Sequence, residues 1–171
     1  MKNKDTPLPS ESVFYYKLKN GDEVISVEEP VGFYKNNLLL SVETADDMTK
    51  EDKKQLIADL KKEIRQQTKQ FSSKNYIELH YPMRVASLPM GGGHGALHMN
   101  FWVSPSINHS QIMHLNKSEI LIRLPVDEGI SSYYFSMIRR YILMYAKSLI
   151  NEGHEFSSKG KDLIAEMEEQ Y

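Results

Sequence analysis

The dipeptide Asn20-Gly21 constrains this chain more than any other feature. It stands between VFYYKLK (13–19) and EVISVEE (23–29), two runs rich in β-branched and aromatic residues. The central positions of a tight hairpin turn need residues that accept a positive φ, and Asn-Gly does so readily. Residues 13–29 therefore predict a β-hairpin. VGFY (31–34) and LLLSVE (38–43), joined by KNN, predict a second one.

A different period takes over after residue 44. Thr49 followed three residues later by Asp52 is a helix-start pattern. Leu56, Ile57, Leu60 and Ile64 then recur at helical spacing among Lys, Glu, Gln and Arg. So narrow an apolar stripe predicts a helix that touches the body along one seam. SSKN (72–75) ends it. Strand signals return over 76–124 as YIELHYPMRVASLP, ALHMNFWV and SQIMHLNKSEILIRLPV. PMGGGHG (89–95) and SPSINH (104–109) separate them with turn chemistry. Pro82 cannot donate to a ladder, so an edge position or a bulge is expected there. A last helix is predicted from about Asp127 to Ile150, carrying Tyr133, Tyr134, Met137, Ile138, Tyr141, Ile142, Tyr145 and Leu149. Its apolar surface exceeds what one small sheet can cover, which suggests a further partner. NEGH stops it, and KGKDLIAEMEEQY reads as a short acidic helix or a frayed tail. About five short strands joined by tight turns suit a small barrel, which removes open sheet edges by curling.

Bulk composition narrows the function classes. The 171 residues are 40% hydrophobic and 26% charged, with formal charge −2. Nucleic-acid binding therefore needs a local positive patch rather than a global field. With no cysteine, thiolate metal sites, disulfides and cysteine catalysis are excluded. MKNKDTPLPSES has no apolar stretch of signal-peptide type, and no apolar run of spanning length occurs elsewhere. The expectation is a cytoplasmic protein with a flexible tail over residues 1–12 and no membrane partner.

No motif announces catalysis. PMGGGHG allows backbone N–H groups near an anion, yet it leads into a strand and no Lys-Ser/Thr follows, so it reads as a connecting loop. Histidines stand at 80, 94, 98, 109, 114 and 154 without an acidic residue near His94 and His98 to complete a zinc set. Asp22/Glu23, Asp46/Asp47 and Asp127/Glu128 sit at turns or helix starts, where carboxylates serve as caps. No serine stands in a nucleophile elbow. The reading is of a protein that is not an enzyme, with no cofactor, metal or small-molecule substrate implied. Basic residues are more suggestive: Lys61, Lys62, Arg65 and Lys69 share one side of the long helix, and Arg84, Arg123, Arg139 and Arg140 lie elsewhere. Tyr34, Tyr81, Phe101 and Trp102 offer stacking faces of the kind single-stranded RNA uses.

Tyr16-Lys17-Leu18-Lys19-Asn20-Gly21-Asp22-Glu23-Val24-Ile25, then Tyr81-Pro82-Met83-Arg84-Val85, then Phe101-Trp102 with Pro105, and Leu115-Asn116-Lys117-Ser118 before Ile120 and Ile122, follow one another in an order that resembles the Sm-like (LSm) family. The similarity is greater to Sm-like proteins of marine-phage and cyanophage origin. It covers two blocks, 13–29 and 76–135. Residues 30–75 depart from it as a large insertion. In a competing register VGFYKNNLLLS supplies the third strand: Asn36 takes the place of the first motif's Asn, and Gly32 replaces its acidic residue. Arg123 stands where the second motif has Arg-Gly, without the Gly.

The resemblance implies a mainly β fold with added helices: a small, strongly bent antiparallel Sm-like barrel (13–43 and 76–126), an inserted helical segment (44–75) and a C-terminal helical extension (127–171). It implies a homo-oligomeric ring in which strand edges pair between subunits. RNA is the implied partner, with Asn36, Arg84, His94 and Arg123 as candidate contacts. The alternative is a phage structural or assembly protein using the barrel and helices for protein–protein contacts.

Overall fold

A computed structural model describes residues 13–44, 48–90, 94–108, 110–153, 155–156 and 158–169. The hairpin expected at Asn20-Gly21 is present: β1 (Val13–Leu18) pairs antiparallel with β2 (Glu23–Glu29). Gly21 takes φ 91°, the left-handed conformation that the turn requires. The Asn20 side-chain oxygen accepts from the Asp22 N–H at 3.0 Å.

The second expected hairpin does not form. Residues 31–43 instead enter a helix, α1 (Phe33–Thr44), so Asn36 is helical and no strand runs through VGFYKNNLLLS. Gly32, at φ 89°, turns the chain into this helix, and the Asn36 N–H bonds back to the Gly32 carbonyl at 3.0 Å. The long helix follows as α2 (Lys50–Gln70). Thr49 caps it, its hydroxyl oxygen accepting from the Asp52 N–H at 3.2 Å. Leu60 is its buried residue.

The chain then returns to the same sheet. β3 (Tyr76–Met90) pairs with β2 along one edge; on the other edge it pairs with β5 (Ile112–Asn116) through 76–80 and β4 (His94–Phe101) through 83–90. The change of neighbour falls at Tyr81-Pro82. Both residues stand opposite Ser26 alone, since Ile25 pairs Met83 and Val27 pairs His80: a bulge, as the proline led one to expect. Tyr81 adopts φ 51°; its N–H bonds to the Gln111 carbonyl at 2.7 Å, and the Pro82 carbonyl accepts from the Trp102 N–H at 2.8 Å. A 3-10 turn (Lys117–Glu119) leads from β5 to β6 (Ile120–Pro125), which pairs with β1.

Among the described residues this gives one six-stranded antiparallel sheet, ordered β4-β3-β2-β1-β6 with β5 also on β3. The segments before and after the helical insertion thus share a sheet. It is not closed into a barrel, and the described residues are half helical against 30% strand, so the mainly β expectation is corrected: the insertion adds α1 as well as α2. Tyr16, Leu18, Val24, Ile77, Leu79 and Leu115 form a core on one face of the sheet, flanked by Phe14, Trp102 and Ile120.

The chain divides into two compact units after Val126. The second contains α3 (Glu128–Asn151) and α4 (Ser158–Glu169). Asp127 caps α3 by accepting from the Ile130 N–H at 2.8 Å. Leu143 and Ala146 pack with Ile164, Phe156 and Met167, and Lys147 pairs with Glu168 at 2.7 Å.

Candidate functional site

Successive residues of a strand face opposite sides, so while Ile77 and Leu79 enter the core, Glu78 and His80 point the other way. His114, directly across from Glu78 on β5, joins them. Glu78 is fully buried on this face. Its carboxylate accepts from the Gly32 N–H at 2.8 Å and the Tyr34 N–H at 3.2 Å. His80 Nε2 lies 2.7 Å from Glu78 Oε1, Gln67 Nε2 lies 3.3 Å from Oε2, and His114 Nε2 lies 3.4 Å from Oε2. Burial alone raises this carboxyl's pKa, but His114, His80 and the two backbone N–H groups outweigh it and hold the group well below the usual carboxylate range. An ionised carboxylate only accepts, so His80 Nε2 must carry a proton there.

The two backbone donors stand at the start of α1, Gly32 just before it and Tyr34 in its first turn. Helix N-termini leave such N–H groups without intrahelical partners and favour negative charge. Glu78 fills that role from a strand 46 residues away. Gln67 of α2 completes the joint, its Nε2 lying 2.7 Å from His114 Nε2 while its Oε1 is buried without a partner. The ring of Phe71 stacks on His114 with centroids 4.3 Å apart and planes 1° from parallel. The centre thus ties both inserted helices to the sheet. Beside it opens a cleft of about 370 Å³, bordered by Tyr34, Lys35, Glu63, Gln66, Gln70 and Ser110 in addition to Glu78, Gln67, Phe71 and His114. Lys35 and Glu63 pair at its rim, 2.8 Å apart.

Chemically this is a holding arrangement. A general acid or base works best with a pKa near the operating pH, and Glu78 is driven far from it by donors that also fix the chain. Among the described residues, no group of three His, Asp or Glu is arranged to hold a metal ion.

Of the residues expected from the sequence, Arg84 and Arg123 do not meet. Arg84 and Arg123 occupy one row across the sheet, Arg123–Tyr16–Val24–Arg84, with two strands between them. Each is committed to an acid. Arg84 pairs with Asp22, whose other oxygen accepts from Trp102 Nε1 at 3.1 Å. Arg84 first, then Trp102 and Asn20, hold the Asp22 carboxyl low against the opposing effect of burial. Arg123 Nε donates to Glu28 at 2.7 Å, and its guanidinium lies 3.5 Å from the Phe14 ring centroid, a cation–π contact. Tyr16 donates to the same carboxylate at 2.5 Å; burial and Glu28 push its hydroxyl far above the ordinary phenol value. Asn36 is exposed on α1, whereas the two arginines stand on β3 and β6. His94 begins β4 by backbone pairing with Met90; its side chain, and Gly91–Gly93 of the glycine run, lie outside the described residues.

The sequence reading missed Glu78, Gln67, Phe71 and the meeting of His80 and His114 at the Glu78 carboxylate. Its one available signal was Glu78-x-His80, two polar residues on one face of a strand whose other face is apolar. Among the described residues no helix is long and apolar enough to cross a membrane. No protein-family model matches the chain, and no curated protein matches it.

Proposed function

We propose that this chain is a non-enzymatic, Sm-like protein that assembles into a ring of identical copies and binds RNA. The observation that carries the reading is β6. It is the last strand of the sheet, and Leu121, Ile122 and Leu124 on it are 60%, 47% and 53% exposed. An apolar strand at an open edge is a template for another strand, and charged or covered edges are the usual defence. At the opposite end, β4 and β5 each pair only with β3 among the described residues. Two such ends on one sheet fit head-to-tail pairing, which closes into a ring when the rotation between copies allows. Continuity of the sheet across the insertion agrees with the resemblance of 13–29 and 76–135 to Sm-like sequences.

Filter binding of oligo-U and oligo-A at two salt concentrations tests the RNA part. Retention that weakens steeply with salt is expected. A second reading, protein–protein contact through the terminal helices, is favoured by exposed Met144, Tyr145 and Leu163. No retention of either oligomer at micromolar protein would select it.

A further inference from the structure

On a helix of 3.6 residues per turn, Ala58, Lys61, Lys62, Arg65 and Lys69 fall within an arc of about 100°. This arc lies away from Leu60, the residue that α2 buries. The acidic residues of the same stretch lie off the arc and are engaged: Asp59 accepts from Gln55 Nε2 at 3.0 Å, and Glu63 pairs with Lys35. Lys61 reaches Glu43 at 3.4 Å. Lys62, Arg65 and Lys69 make no ion pair with another described residue. Together with Ala58, Lys61 and Gln66 they line an open groove of about 460 Å³. The contrast with Arg84 and Arg123 is direct, because those guanidiniums are already neutralised within the chain.

We propose that this outer face of α2 binds the phosphate backbone of single-stranded RNA, with Lys62, Arg65 and Lys69 as the phosphate contacts. The inference rests on the RNA-binding reading and moves the contact from the sheet to the inserted helix. A polyanionic strand complements an uncompensated cationic stripe, and it releases its counterions on binding. A membrane surface fits less well. Interfacial helices need an apolar face to bury beside their basic residues, and Leu56, Ile57, Leu60 and Ile64 of α2 lie off this arc, with Leu60 buried in the body. Gln66 borders both this groove and the cleft beside Glu78, where Tyr34, Phe71 and Gln70 provide stacking surfaces and amide groups for bases of the same strand.

The test uses the full chain with fluorescently labelled oligo-U and oligo-A, titrated by anisotropy between 50 and 200 mM salt. The variant K62Q/R65Q/K69Q is compared with a control, K19Q/K74Q/K161Q, that changes net charge equally at other exposed positions. Each single-strand phosphate contact contributes about 0.7 to the log–log salt slope, so loss of three lowers it by about 2. Over this salt range the wild type then sheds roughly 20-fold more affinity than the helix variant. The control and the charge-keeping K62R/K69R should retain the wild-type slope. RNA bound with equal slopes by wild type and helix variant overturns this inference and leaves the RNA reading standing. No RNA bound by the wild type overturns the RNA reading and this inference together. Binding of phosphatidylserine vesicles through the same three residues, without RNA binding, assigns the face to a membrane instead.

Discussion

A carboxylate cut off from water stays ionised only when donors replace its hydration, and Glu78 has them on both oxygens. Glu78→Gln keeps one acceptor oxygen but turns an NH2 group toward groups that themselves donate. Removing one partner of such a buried cluster leaves polar atoms without partners, and we expect a loss of about 2–4 kcal/mol in urea unfolding at pH 7. The pH dependence has a definite sign. The folded pKa is depressed, so the unfolded chain takes up the proton first on acidification. Stability from Glu78 is therefore complete above the ordinary carboxylate value of about 4.3 and is lost as pH falls toward the folded value. The wild-type urea midpoint should drop between pH 5 and 3 more steeply than that of Glu78→Gln. Parallel curves would show that Glu78 is not the anion described here.

Among the elements, α1 shows why part of the structure was legible and part was not. The β1–β2 turn and the start of α2 are local: Asn20-Gly21 and Thr49/Asp52 carry their own geometry within four residues. The bulge at Pro82 is local too, since a missing N–H must be placed somewhere harmless. The start of α1 is not. Its cap is Glu78, distant in sequence, and Val31-Gly32 offers no capping side chain to announce a helix. The run Leu38-Leu39-Leu40 then reads as readily as a strand. For the same reason the buried centre stayed hidden, because the juxtaposition of Glu78 and His114 exists only once β5 is registered on β3. Gly32 is the local share of the α1 start. A Cβ there meets only Asn36 Nδ2 at 3.6 Å and Thr68 Cγ2 at 3.7 Å, which are ordinary contacts, so the effect of Gly32→Ala is conformational. At φ 89° an alanine costs about 1–2 kcal/mol. Hydrogen exchange should show faster exchange of the α1 amides while the β1–β2 amides keep their protection. Uniform acceleration across the sheet would mean that α1 does not depend on this turn.

For the whole molecule, the open question is what lies against β6. Among the described residues its ladder is satisfied on the β1 side alone, and its exposed residues are Leu121, Ile122, Arg123, Leu124 and Pro125, with no lysine. Arg123 does not guard the edge, because Glu28 and the Phe14 ring hold it. A sheet end of this composition is stable in water when another strand covers it, and a second copy brings a suitable partner in the outer edge of β4 or β5. Placing charge on the edge should then separate assembly from folding. Ile122 and Leu124 are exposed, so Ile122→Lys/Leu124→Lys removes little packing within one chain; surface changes of this kind usually stay within about 0.5 kcal/mol. Light scattering should give the wild type a mass several times the 19.8 kDa of one chain and the double variant a mass near one chain, with cooperative urea unfolding retained. A wild type already at the mass of one chain would remove the ring, and an assembly that survives both lysines would place the contact on another surface.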